Sequence, residues 1–188
     1  MKKTIKYLAV ILLLLFGGIL FISSLPRHDR WGVPFDAVMV DGELYFVLGK
    51  ECGFYGISVF KSSHTYAVPE LKVWSWGTAN KAEYLKTRQI KYGQEIDGFI
   101  TGKTPQKLQP HTAYFSLLST TLNGAFGSIG SFIIRDNNKI VMTYRFDPEL
   151  PKNRTIIIER NGKQITVPYS VSFDKEGHKV IVSEIGFK

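Results

Sequence analysis

Between Lys6 and Arg27 the chain runs for 20 residues without a charged side chain. At about 1.5 Å of rise per residue, a helix of that length spans about 30 Å, the thickness of a bilayer's hydrocarbon core. Residues 8–25 therefore read as a transmembrane anchor. Tyr7 and Trp31 flank the run, at the two levels where aromatic rings favour a membrane interface. A cleaved signal peptide is the rival reading. Its apolar region is about 7–15 residues long and ends in a small-x-small cleavage site. Here Phe21 and Ile22 stand two residues before Ser23 and Ser24, so an uncleaved anchor fits better. Lys2, Lys3 and Lys6 precede the run, and Arg27 and Arg30 follow it. The greater positive charge predicts a cytoplasmic N-terminus, residues 1–7. Residues 26–34, with Pro26 and Pro34, read as a tether, and residues 35–188 as an exported domain.

That domain must stand on its core. Cys52 is the only cysteine, so no intrachain disulfide forms, and with no activating neighbour it reads as a small buried thiol. Hydrophobic residues make up 44% of the chain, enough for a packed interior. The net charge is +8, and removing the three N-terminal lysines leaves +5 for the rest. The excess is spread along the chain with no Lys/Arg run, which speaks against nucleic acid as a partner.

Alternating patterns and turn residues dominate after residue 34. Residues 37–48 read as a hairpin around Asp41-Gly42, and residues 155–167 as another around Asn161-Gly162, because both dipeptides supply positive φ angles. Further strands are expected at 54–60, 71–78, 89–92, 98–102, 112–121, 131–134, 139–145, 169–173 and 179–185. Residues 79–88 have some helical character and also suit a loop. The two prolines at 148 and 151 suggest a boundary, but the 34 residues after Arg154 are too few for a core of their own. They are expected to add strands to the main body. The fold class is all-β, a sandwich or barrel.

Few residues carry chemistry. The four histidines, at 28, 64, 111 and 178, have no His or Cys at ligand spacing, so neither a metal nor a cofactor is expected. No serine lies in a Gly-x-Ser-x-Gly elbow. Glu95 and Asp97 sit two apart in a turn, a poor setting for acid–base work. Gly124, Gly127 and Gly130 lack the Lys-Ser/Thr of a phosphate loop and read as a flexible loop able to make contacts. In residues 71–78, alternation puts Val73 on one face and Trp74 and Trp76 on the other. Either both faces are buried, or the tryptophans form an exposed partner-binding strip that Tyr45 and Tyr55 extend. The expectation is a non-enzymatic protein without a small-molecule substrate.

The run Leu108-Gln-Pro110-His-Thr-Ala-Tyr114 resembles the E–F corner of fibronectin type III and related immunoglobulin-like domains. The resemblance covers about residues 67–135. It implies a two-sheet sandwich with extra C-terminal hairpins, in which the Tyr114 hydroxyl caps backbone upstream while its ring joins the core. An anchored β-domain with this corner is also similar to a class of small envelope proteins of Gram-negative bacteria, some predicted as immunity proteins against type VI secretion toxins. Most of that class are lipoproteins, whereas no cysteine follows the anchor here. This resemblance implies a single-pass inner-membrane protein whose periplasmic domain binds a protein partner, such as a toxin. The alternative is an accessory subunit of an envelope assembly, with Gly17-Gly18 allowing close helix packing.

Overall fold

The computed structural model describes residues 35–61, 69–78, 84–119, 128–136, 139–143 and 154–183. The expected anchor and tether lie outside these residues, as do Gly124 and Gly127. The described residues all belong to one compact unit.

Among the described residues the fold is all-β. In chain order its strands are β1 (Phe35–Val40), β2 (Glu43–Phe54), β3 (Gly56–Lys61), β4 (Lys72–Gly77), β5 (Leu85–Lys91), β6 (Ile100–Lys103), β7 (Ala113–Ser119), β8 (Ser128–Ile134), β9 (Ile140–Met142), β10 (Thr155–Arg160), β11 (Lys163–Phe173) and β12 (Lys179–Ser183). They make two antiparallel sheets: β1-β2-β5, and a nine-stranded sheet ordered β10-β11-β12-β9-β8-β7-β3-β4-β6. The hairpin turns expected at Asp41-Gly42 and Asn161-Gly162 are present, with φ of 51° and 79° at the first and 53° and 72° at the second.

β1 is buried along its whole length, so both faces of this strand are covered. Phe35, Ala37 and Met39 share one face with Leu48, Phe46 and Leu44. This face meets the middle of the large sheet: Phe46 lies edge-on to Phe132, centroids 5.9 Å apart. The other face carries Asp36, Val38, Tyr45 and Val47. Strands from the C-terminal end of the large sheet reach it, because the Tyr169 hydroxyl on β11 donates to Asp36 Oδ2 at 3.1 Å. The C-terminal strands thus join the main body through the β12–β9 ladder, as expected, and also close its second face.

Two local expectations change. Residues 85–88, read as helix or loop, are the first half of β5, because pairing with β2 outweighs their weak helical propensity. Residues 163–167 and 169–173 form one strand through Pro168. Its missing N–H removes no described ladder bond: Pro168 pairs with Thr155 where the ladder to β10 ends, and the ladder to β12 begins at Tyr169.

Candidate functional site

On the face of the large sheet opposite the core, Ile133, Val141 and Val180 lie side by side across β8, β9 and β12. Alternation makes this inevitable, since their neighbours Phe132, Ile140 and Ile181 point into the core. The three form the floor of a groove of about 730 Å³. Its rim is charged and comes from two turns. Arg135, Asp136 and Lys139 flank the β8–β9 turn, and Asp174, Lys175, Glu176 and His178 form the β11–β12 turn. The groove thus joins an apolar floor to a rim of both charges.

The second rim turn is built by Asp174. Its Oδ1 accepts the backbone N–H of His178 at 2.8 Å and of Glu176 at 2.9 Å. These bonds, the His178 one foremost, hold the carboxyl below the usual aspartate range. Gly177, at φ +80°, lets the chain turn back. His178 Nδ1 then sits 3.3 Å from both Asp174 Oδ2 and Glu176 Oε2. The ligand atoms of these three residues lie within 4.8 Å of one another, so they are the described residues able to hold a cation. The hydrogen bonds of the turn already account for their closeness. On the opposite rim His111 Nε2 approaches Asp136 Oδ1 at 3.1 Å.

A second polar cluster is buried. Asp36 is 2% exposed and faces three partners: Lys179, Arg154 at 3.3 Å and the Tyr169 hydroxyl. Burial pushes the Lys179 amine below its ordinary range, with Asp36 opposing the shift. Burial and the adjacent Asp36 charge raise the Tyr169 phenol. The cluster ties β1 to β11 and β12.

The residues singled out from sequence do not converge. Trp74 and Trp76 are 1% and 4% exposed, so the exposed strip is not formed. They point inward, and residues 92–106 cover them: Trp74 packs on Tyr92 at 4.9 Å and Trp76 edge-on to Phe99 at 5.0 Å. Val73 on the other face is buried too, so both faces of β4 are core. Tyr45 is likewise buried, and its hydroxyl donates to Glu43 Oε2 at 2.9 Å. Tyr55 is half-buried and its ring lies beside Tyr84. Gly130 lies within β8 rather than in a loop. A Cβ there would run into the Phe35 ring, so its role is packing. Tyr114 is 2% exposed and stacks on Phe132 at 5.6 Å. Its hydroxyl accepts the Gln109 N–H at 2.7 Å, next to the exposed turn residue Pro110, and Leu108 packs against the core. The groove itself was missed. The signal for it is Asp174-x-Glu-x-His178 around a glycine, together with the outward-facing Ile133, Val141 and Val180.

No protein-family model, no curated protein and no solved structure matches this chain.

Proposed function

We propose that this chain is a membrane-anchored, immunoglobulin-like module that binds a protein partner in the periplasm. In its most concrete form it is an immunity protein that neutralises a secreted toxin by occlusion. The observation that carries the binding reading is the groove, with its three aliphatic floor residues inside a mixed-charge rim. Such a surface takes an apolar anchor from a partner and fixes its orientation through charge.

Two features support the sandwich kinship. In chain order β1, β2 and β5 correspond to strands A, B and E, and β3, β7 and β8 to C, F and G, of an immunoglobulin-like domain. The Tyr114 hydroxyl reaches back to backbone just upstream, as the corner tyrosine of such domains does. The anchor and the periplasmic location rest on the uncharged run and its flanking lysines.

The test is co-expression of the full chain with the product of the adjoining gene. A stable complex and protection of the cells from that product are expected. The paired substitutions Arg135→Glu and Lys139→Glu, both at exposed positions, abolish both effects while leaving thermal unfolding unchanged. Exchange of residues 8–25 for an unrelated anchor leaves protection intact. Absence of both complex and protection refutes the reading, and loss of protection on exchanging the anchor favours an accessory subunit instead.

A further inference from the structure

β10 is the last strand of the large sheet and pairs only with β11 among the described residues. Its register with β11 and its burial alternate together: Ile156 and Ile158 face the core, while Thr155, Ile157 and Glu159 face solvent. The N–H and C=O of Ile157 point away from β11, because both are bonded from outside the sheet. The Gln89 Oε1 accepts the Ile157 N–H at 3.0 Å, and the Gln89 amide nitrogen donates to the Ile157 carbonyl. Backbone groups two residues apart on a strand point the same way. Thr155 and Glu159 therefore present the same open edge, and no described residue bonds it.

One side chain from β5 thus makes, in both directions, the bonds that an added strand would make at Ile157. The edge it covers reads Thr155-Ile-Ile-Ile-Glu159, strongly β-prone and 49% exposed at its centre, Ile157. We infer that β10 is a strand-pairing edge for a second copy of this chain, and that the Gln89 carboxamide closes it. Self-pairing about a two-fold axis at Ile157 sets Ile157 opposite Ile157 and Thr155 opposite Glu159 of the second copy. No like charges then face each other over the central five residues. Arg154 and Arg160 fall opposite one another only at the ends, and each is already beside an acid of its own copy, Asp36 and Asp41. The pairing would join the two large sheets edge to edge and bring two half-exposed isoleucines together.

The test uses the full chain in membranes, with Cys52→Ser removing the one native thiol and Ile157→Cys introducing another. Opposed residues on paired strands lie about 5 Å apart, within reach of a short bifunctional thiol reagent. Thr166→Cys, the partner of Ile157 one strand further in, is the control. In a paired dimer its two copies lie about 14 Å apart across three strand spacings, beyond that reagent. Adding Gln89→Ala should raise the rate of dimer formation at position 157 roughly tenfold, as expected for loss of closing bonds with a net value near one hydrogen bond each. Position 166 should stay at background in both forms. Gln89→Glu keeps the side-chain shape and removes the donor to the Ile157 carbonyl, so it carries the same expectation if Gln89→Ala fails to fold. Cross-linking at 157 that never exceeds that at 166, or that is indifferent to both Gln89 substitutions, overturns the inference.

Discussion

Replacing Asp36 by alanine tests how the C-terminal strands are held. Asp36 and Lys179 are 2% and 3% exposed, and the Arg154 side chain is 13% exposed. Removing the carboxylate leaves two desolvated cations and the Tyr169 hydroxyl facing a methyl group. Breaking a buried pair from one side in this way costs about 3–5 kcal/mol. For a domain of this size that lowers Tm by roughly 6–20 °C. Lys179→Met should cost clearly less, because Asp36 keeps Arg154 and Tyr169. The two side chains are paired with each other, so the sum of the single losses should exceed the double variant by about 1 kcal/mol or more. The Lys179 amine already lies below its ordinary range through burial, and without Asp36 nothing opposes that shift. In the Asp36→Ala protein the unfolded state then holds a proton that the folded state lacks, so stability rises as pH approaches the ordinary lysine value of 10.5. Denaturant unfolding of the single and double variants across pH measures all of this. A loss below about 1 kcal/mol for Asp36→Ala, or strict additivity with Lys179→Met, refutes the argument that a buried charge cluster joins β1 to β11 and β12.

Three further outcomes are expected. Gly130→Ala pushes on the Phe35 ring, which is 3% exposed and lies edge-on to Phe46, and should cost about 1–3 kcal/mol in denaturant unfolding. Tyr114→Phe removes the acceptor of the Gln109 N–H and should cost about 0.5–1.5 kcal/mol in the same assay, with the stack on Phe132 retained. The Tyr92 phenol is pushed by burial from 10.0 up to about 12. Between those values the unfolded chain loses a proton that the folded one keeps, so this contribution to stability is full below pH 10 and is lost as pH rises through 12. Tyr92→Phe should flatten that decline, read by unfolding at stepped alkaline pH.

What the sequence reveals is mainly what neighbours in the chain decide. Asp41-Gly42 and Asn161-Gly162 mark their hairpins because only those turns need two positive φ angles in a row. The Leu108–Tyr114 corner is legible for the same reason, with the hydroxyl and the Gln109 N–H it accepts only five residues apart. Alternation in β4 separates two faces but says nothing of what covers each. The cover over Trp74 and Trp76 is Tyr92 and Phe99, from a stretch with no period of its own. The Asp36–Lys179 contact spans 143 residues, and no local pattern announces it. The groove floor is one residue from each of three strands and becomes visible only once β12 is known to pair with β9.

The proposed function puts a protein partner in the groove between the β8–β9 and β11–β12 turns. A photo-crosslinking residue placed at Lys139 on its rim, and another at Lys103 on the far edge strand β6, tests it in cells making the adjoining gene's product. An adduct with that product is expected at 139, none at 103, and the 139 adduct should disappear when Arg135 is reversed to Glu. An adduct at 103 with none at 139, in cells that remain protected, contradicts it.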